Sequence, residues 1–358
     1  MTPAPRRRPP PRAPALYVLV LIALTVGHGF AQSDPVALDL DAVLAAREGR
    51  VAVVTADLDL QEAERTLART DADPLALRLE RTQARQGVEL ARAELAMARA
   101  DTAVELVGAW TRVRETMAQL ALAEGARDLT GRALGVAQLR FERGSATRLD
   151  VDEAETDLAD AEANVAAARD GLALARADLV GVVGRDVPVD ATPIDRARLD
   201  LPLPDDATLD AAIVGLPAYL QVAHGAELAS IAVDLLDPSF AAQAQIDQAR
   251  TQLTQAEAGL TEVDRGLGLR ARALRNAVAS AADRDRIARE ALGQAEERLA
   301  IEERRLEAGL VADLAVARVR LSVDQAGLAV LQAEHGLLRA WLELEAGTLL
   351  DLGVGRGF

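Results

Sequence analysis

The chain has no cysteine. Disulfides and thiolate metal sites are therefore excluded within it, and no thiol is available for acylation. Lysine is also absent, so arginine is the only basic side chain; codon bias in a GC-rich genome accounts for that without a functional cause. Aromatic residues make up only 2% of the 358 positions, although half of all residues are hydrophobic. Alanine and leucine supply the apolar content. That composition suits long packed helices with small contact residues, not a thick globular core. Positive charge is in deficit, with a formal net charge of −16. So acidic a chain is not built to hold nucleic acid or anionic lipid by general electrostatics.

Proline is missing from 75 to 187. Residues 75 to about 143 can therefore form one helix, roughly 100 Å long at 1.5 Å per residue. Its apolar stripe includes Leu106, Val113, Leu120, Leu134 and Phe141, with Trp110 and Met117 beside it. Before it, 38–70 reads as a helix, broken at Asp71-Ala-Asp-Pro74 because proline removes a donor and biases its predecessor away from helix. After it, Gly144 is placed to end the helix in a left-handed conformation. Ser145 or Thr147 then caps a return helix running to about Val183. Prolines 188, 193, 202 and 204 mark a connector, and then the plan repeats. Asp206 to about Leu236 is helical with an interruption at Gly215-Leu-Pro217. Asp237-Pro238 breaks the chain, and Phe240 to about Ala308 is the second long helix. Gly309 turns it into a return helix that reaches about Leu350.

The two halves share an apolar stripe at an offset of 165 positions. Val151, Leu158, Val165, Leu172 and Leu179 map onto Val316, Val323, Val330, Leu337 and Leu344. Three places on, Ala154, Ala161, Ala168, Ala175 and Val182 map onto Val319, Ala326, Ala333, Ala340 and Gly347. One helical hairpin has been duplicated. The fold class expected is all-α: two tandem long-helix hairpins, coiled-coil-like, with little or no β-structure. Each return helix covers about half of its long partner, and the short preceding helix covers the rest. Such a sheet of helices has open apolar edges, which ring closure by oligomerisation removes. The expected division is a signal at 1–31, a first hairpin repeat at 32–184, a connector at 185–208, a second repeat at 209–350 and a tail at 351–358.

Residues 1–31 have the form of a secretory signal: Arg6, Arg7, Arg8 and Arg12, then an apolar run from Ala15 to Val26, then Gly29-Phe-Ala31 before Gln32. The run is short against the roughly 20 residues of a spanning helix. Removing the segment takes away four arginines and no acid, so the net charge moves from −16 to −20.

The first turn, Arg140-Phe141-x-x-Gly144-x-Ala-Thr147-x-Leu149-Asp150-Val151, resembles that of the TolC-like outer-membrane efflux family. The second, Arg305-Leu306-x-x-Gly309, followed by Leu314, is a weaker match. Leu209-Asp-Ala-Ala-Ile-Val-Gly-Leu-Pro217 is similar to the family's opening of a repeat. The resemblance covers about 38–350. It implies a homotrimeric helical tunnel in the periplasm, associated with the outer membrane. Its tips, at Arg140, Phe141, Gly144, Thr147, Leu149, Arg305, Leu306, Gly309 and Leu314, would dock a periplasmic adaptor and an inner-membrane transporter for efflux or type I secretion. It also implies β-strands between the short and long helix of each half. A membrane strand takes about 9–11 residues, and no alternating run of that kind stands at 70–74 or 235–238, so a tunnel without the barrel is expected. The family's acidic constriction follows its second turn, where this chain has Ala315 and Arg318. An acidic pore ring here would come from Asp150 and Glu153 of the first repeat. The alternative reading of those acids is a solvated helix start.

No catalytic constellation stands out. His28, His224 and His335 are solitary, with no metal-ligand spacing. No Gly-x-Ser-x-Gly setting or phosphate loop occurs. Asp71-x-Asp73 and Asp283-x-Asp285 are at most fragments of a calcium loop. Gly353-Val-Gly-Arg-Gly357 reads as a frayed tail. No enzyme activity, cofactor or metal is expected. The competing reading is a structural envelope spacer or tether on the same tube, with an outer-membrane or cell-wall component as its partner. A periplasmic adaptor ranks behind both, because it has one hairpin and β-rich halves.

Overall fold

A computed structural model describes residues 39–354, apart from 187, 191 and 238. The signal-like segment lies outside the described residues. Eight α-helices are present among them: α1 Leu40–Ala45, α2 Val51–Ala72, α3 Arg78–Glu142, α4 Arg148–Val183, α5 Asp206–Ile213, α6 Pro217–Asp234, α7 Gln243–Glu307 and α8 Asp313–Thr348. No β-strand occurs among the described residues, and no helix there is long and apolar enough to cross a membrane.

The duplicated stripe is the buried face of both return helices. Val151, Val165, Leu172 and Leu179 are buried on α4; Val316, Val330, Leu337 and Leu344 are buried on α8. The equivalent pair Leu158 and Val323 is only half-buried in each copy, so the duplication extends to where packing loosens. The two long helices are 65 residues each. At 1.5 Å per residue each is roughly 98 Å long. Along α3, α2 covers the first part and α4 the last. Arg92 pairs with Glu64 of α2, and Arg112 pairs with Asp178 of α4. Along α7, α6 and α8 divide the length in the same way. Val222 of α6 lies against Gly259, and Glu334 of α8 pairs with Arg289.

The halves join through the interior pair: α3 also touches α6 and α8. Gln86 Nε2 donates to Glu227 Oε2 of α6 at 2.6 Å, and His335 Nδ1 of α8 lies 3.0 Å from Glu115 Oε1. The result is one layer four helices wide. One edge is α2 and α4 in line; the other is α7.

The layer thickens only where short and return helices hand over. There the core holds Leu40, Val43 and Leu44 of α1, Leu106, Trp110 and Val113 of α3, Leu199 of the connector, Leu209 and Ile213 of α5, Val278 of α7, and Leu337, Leu338, Trp341 and Leu344 of α8. Leu209 and Ile213 belong to the repeat-opening word, and Pro217 takes the first position of α6, where its missing N–H costs nothing.

Two sequence expectations are corrected here. The helix expected over 38–70 is two helices joined by a 3₁₀ turn at Ala46–Gly49, with Arg50 extended. The bend lets α1 enter the core, and Arg50 Nη1 donates to the Val182 carbonyl at 2.6 Å. Of the tail expected to fray at 353–357, Gly353 and Val354 are docked and Val354 is fully buried, while 355–357 lie outside the described residues. Glu345, itself buried, accepts the N–H groups of Leu352 and Val354 on one oxygen at 3.1 and 3.0 Å. A buried carboxylate needs such donors.

Candidate functional site: the two hairpin tips and the open edges

Both long helices end on the same device. Gly144 has φ +70° and Gly309 has φ +71°. At the first turn Ser145 N–H bonds the Arg140 carbonyl at 2.8 Å and Gly144 N–H bonds that of Phe141 at 2.9 Å. At the second, Leu310 N–H bonds Arg305 and Gly309 N–H bonds Leu306, both at 2.8 Å. These are matching Schellman exits, which require a left-handed residue that glycine adopts at no steric cost.

The entries into the return helices differ. Thr147 is the N-cap of α4: its hydroxyl accepts from Asp150 N–H, and Asp150 Oδ2 accepts the Thr147 N–H at 2.6 Å. That backbone bond, with the Thr147 hydroxyl, holds the Asp150 carboxyl below the usual carboxylate range. Asp152 pairs with Arg148 at 2.9 Å, and Glu153 is exposed beside them. At the second turn Ala312 offers no side-chain cap. That turn is tied sideways instead, by Arg132 of α3 to Asp313 at 3.6 Å.

The depressed Asp150 carboxyl gives a pH prediction with a definite sign. A group whose folded pKa is lowered contributes stability above its unfolded value, and loses it as pH falls through the folded value. Amide exchange at 147–150 should therefore accelerate below about pH 4. Exchange at 312–315, where no carboxylate accepts a backbone N–H, should lack that dependence. Equal acid response at both turns would contradict the assignment.

The tips are not level. Leu321, twelve residues after Gly309, lies against Gly125, nineteen residues before Gly144. The first turn thus projects beyond the second by about 10 Å along α3. It presents exposed Leu139, Phe141 and Leu149, with Arg140 beside them; the second presents exposed Leu310 and Arg305, with Leu306 and Leu314 half-buried. All nine tip residues read from the sequence thus lie at the two turns, and Asp150 and Glu153 lie at the first. Leu139 and Leu310, missed in that reading, flank the same words and were legible as apolar residues next to a turn.

The layer's edges carry unpartnered apolar residues. On α7, Leu269, Ile287 and Ile301 are exposed at 18- and 14-residue spacings, which align on one helix face. On the opposite edge Val51, Val54 and Leu58 of α2 and Leu174 of α4 are exposed.

The sequence profile described as "Outer membrane efflux protein" matches residues 76–185, the α3–α4 hairpin. Solved structures extend the likeness to the whole layer. CusC crystal structures, described as showing conformational changes accompanying folding and transmembrane channel formation, match over 90% of this chain and 97% of theirs, with a TM-score of 0.62 and 16% identity. The fold is that of the outer-membrane efflux channels. The Campylobacter jejuni CmeC outer membrane channel matches over 89% of this chain and 86% of its own, with a TM-score of 0.61 and 10% identity. The Neisseria gonorrhoeae MtrE channel in its open state gives 89% of each chain, 0.53 and 14%. No curated protein sequence matches the chain. Where the resemblance led one to look for membrane strands, this efflux-channel fold passes from α2 to α3 through 73–77 and from α6 to α7 through 235–242.

The remaining chemical candidates are structural. Asp285 is fully buried and held by Arg196 at 2.7 Å and Arg289 at 3.1 Å, which fastens the connector to α7. Asp73 bonds the backbone of Leu75. No group of three or more metal-capable side chains gathers among the described residues. Trp110 and Trp341 are core residues, and His335 is buried in the α3–α8 seam.

Proposed function

We propose that the chain is the wall segment of a TolC-like duct for efflux or type I secretion in the cell envelope, associated with the outer membrane. Copies close edge to edge into a homotrimeric ring, and the tips dock a periplasmic adaptor and its inner-membrane transporter. The observation that carries this reading is the pair of open apolar edges on a layer with the efflux-channel fold. A layer one helix thick cannot bury both faces of its edge helices within one copy. The edges also differ in charge. Over its span α4 carries nine acids and three arginines, whereas α7 carries twelve acids and eleven arginines. Two α4 edges would repel, so α4 pairs with α7. That contact is heterologous and closes only as a ring. The acids Asp150 and Glu153 then form a ring near the first tips, with Asp150 already engaged as a cap.

Light scattering on the purified protein tests the assembly. The wild type should have the mass of three copies, and Leu269→Glu with Ile287→Glu should reduce it to one without loss of helix content. A wild-type monomer at micromolar concentration would remove the ring. The absence of strands among the described residues at 73–77 and 235–242 favours the second reading, a spacer or tether. Trimeric assembly together with export that is unchanged on deletion of the gene would select it.

A further inference from the structure

The end of the layer opposite the tips carries a second duplicated device. α2 and α6 run toward this end, and α3 and α7 start from it, so the segments 73–77 and 235–242 both lie at it. In the first, Asp73 Oδ1 accepts the Leu75 N–H at 2.9 Å and the Asp73 carbonyl accepts the Ala76 N–H at 3.2 Å. In the second, Asp237 Oδ1 accepts the Ser239 N–H at 2.7 Å and the Asp237 carbonyl accepts the Phe240 N–H at 3.0 Å. Each is an aspartate–proline turn that folds its own carboxylate back on the backbone. Between that aspartate and the next helix neither turn has a charged residue: Pro74-Leu-Ala-Leu77 and Pro238-Ser-Phe-Ala-Ala242.

Both turns hold large apolar side chains in solvent. Phe240 is 90% exposed, Leu75 84%, Leu77 65% and Leu235 64%. A tight, hydrogen-bonded turn has no folding reason to hold four large apolar side chains in water. Their arrangement identifies the partner. The four side chains are divided between two separate turns, two on each. A protein partner needs a continuous complementary patch, whereas a fluid phase accepts separate apolar points.

We propose that this end is a membrane-contacting surface, with Leu75, Leu77, Leu235 and Phe240 entering the interfacial layer of a lipid bilayer. The turns thereby occupy the place of a spanning barrel: the chain lies against the membrane through them instead of crossing it there. Charge defines the lipid class. The neighbours of the turns are mixed in sign, with Asp71, Arg78 and Glu80 at the first and Asp234 and Asp237 at the second, in a chain of net charge −16. Attraction to anionic headgroups therefore cannot drive binding, and apolar insertion must. Binding should occur on zwitterionic vesicles and resist salt. The inference rests on the ring reading for its strength, because a closed ring presents every copy's turns to one surface.

The test uses the purified full-length chain and vesicles of phosphatidylcholine and phosphatidylethanolamine at 0.5 M salt. The wild type should float with the vesicles. The variant Leu75→Ser, Leu77→Ser, Leu235→Ser, Phe240→Ser should lose at least nine tenths of that binding while keeping its mass and helix content. Equal flotation of the two places attachment elsewhere in the chain and overturns the proposal. So does a wild type that stays in solution, or one whose turns pair two rings end to end, seen as a doubled mass that the variant abolishes without vesicles. A second measurement is independent of assembly. Phe240→Trp adds an exposed indole to a chain whose Trp110 and Trp341 are 2% exposed. Its emission should shift to the blue on adding vesicles, in the ring and in the Leu269→Glu, Ile287→Glu monomer alike. No shift in either form overturns membrane contact, whereas a shift in a protein that never trimerises leaves it standing and removes only the ring.

Discussion

Replacing both Gly144 and Gly309 by valine should abolish export while the protein still assembles. The two glycines hold φ near +70° at the ends of the long helices. An L-residue there costs about 1–2 kcal/mol per site, and a β-branched one fares worst. The cost falls on the turns alone. Nothing lies within 4 Å of the position a Cβ would take at either glycine, so no core contact is lost. The thick handover core around Leu106, Trp110 and Val113 stands tens of ångströms away along α3. Each turn escapes the strain by shifting its exit, which breaks the paired Schellman bonds and re-aims Phe141, Leu149 and Leu310. A docking surface that depends on the 10 Å stagger of the tips loses its register. Asparagine at both positions supplies the control, since it tolerates the left-handed region, and should retain most export. Transport that is unchanged in the valine pair, measured as cargo retained in cells, removes the docking role; loss of the trimer in that variant would show instead that the tips hold the ring together.

Much of this architecture was legible in the sequence because it depends on local signals. The absence of proline from 75 to 187 allowed one long helix, and the structure gives Arg78–Glu142. The stripe at offset 165 named the buried faces of α4 and α8, since a heptad period and a buried face are the same fact. The cap of α4 was legible as Ser145 or Thr147, and the structure gives Thr147. What the sequence hid depends on contacts between distant segments. The α1–α2 bend follows from Arg50 reaching Val182, 132 positions away. Docking of the tail follows from Glu345 being buried, and a glutamate near a helix end reads as solvated until its surroundings are known. The stagger of the tips was hidden for a related reason. A fixed offset suggests level copies, but the level is set by α3 against α8, a pairing between repeats that neither repeat encodes alone. The Asp-Pro turns were visible as breaks, while their likeness as hydrogen-bonded turns was not, because the residues after proline differ.

Trp341→Ala should be the most destabilising single change in the chain, and its effect should be felt where the layer is thick. Trp341 is 2% exposed, and its indole Nε1 donates to the Leu199 carbonyl at 3.0 Å. That bond ties α8 to the connector, and the ring packs in the core that also takes in α1, α5 and Trp110. Truncating a buried tryptophan costs about 3–5 kcal/mol, and the stranded Leu199 carbonyl adds about 1–3 kcal/mol. Both act at the point where α2 gives way to α4 and α6 to α8. Elsewhere a helix has only the neighbours in its own layer, so no second shell exists to absorb the loss. Trp341→Phe separates the two contributions: it keeps most of the volume, loses the hydrogen bond, and should cost about 1–3 kcal/mol. Denaturant unfolding should show a lower midpoint for the alanine variant than for the phenylalanine one. Amide exchange should rise first in the connector and α1, not at the tips. If instead the tips open first in Trp341→Ala, the handover core is not what holds the two repeats in one layer, and the seams between α3, α6 and α8 must do so by themselves.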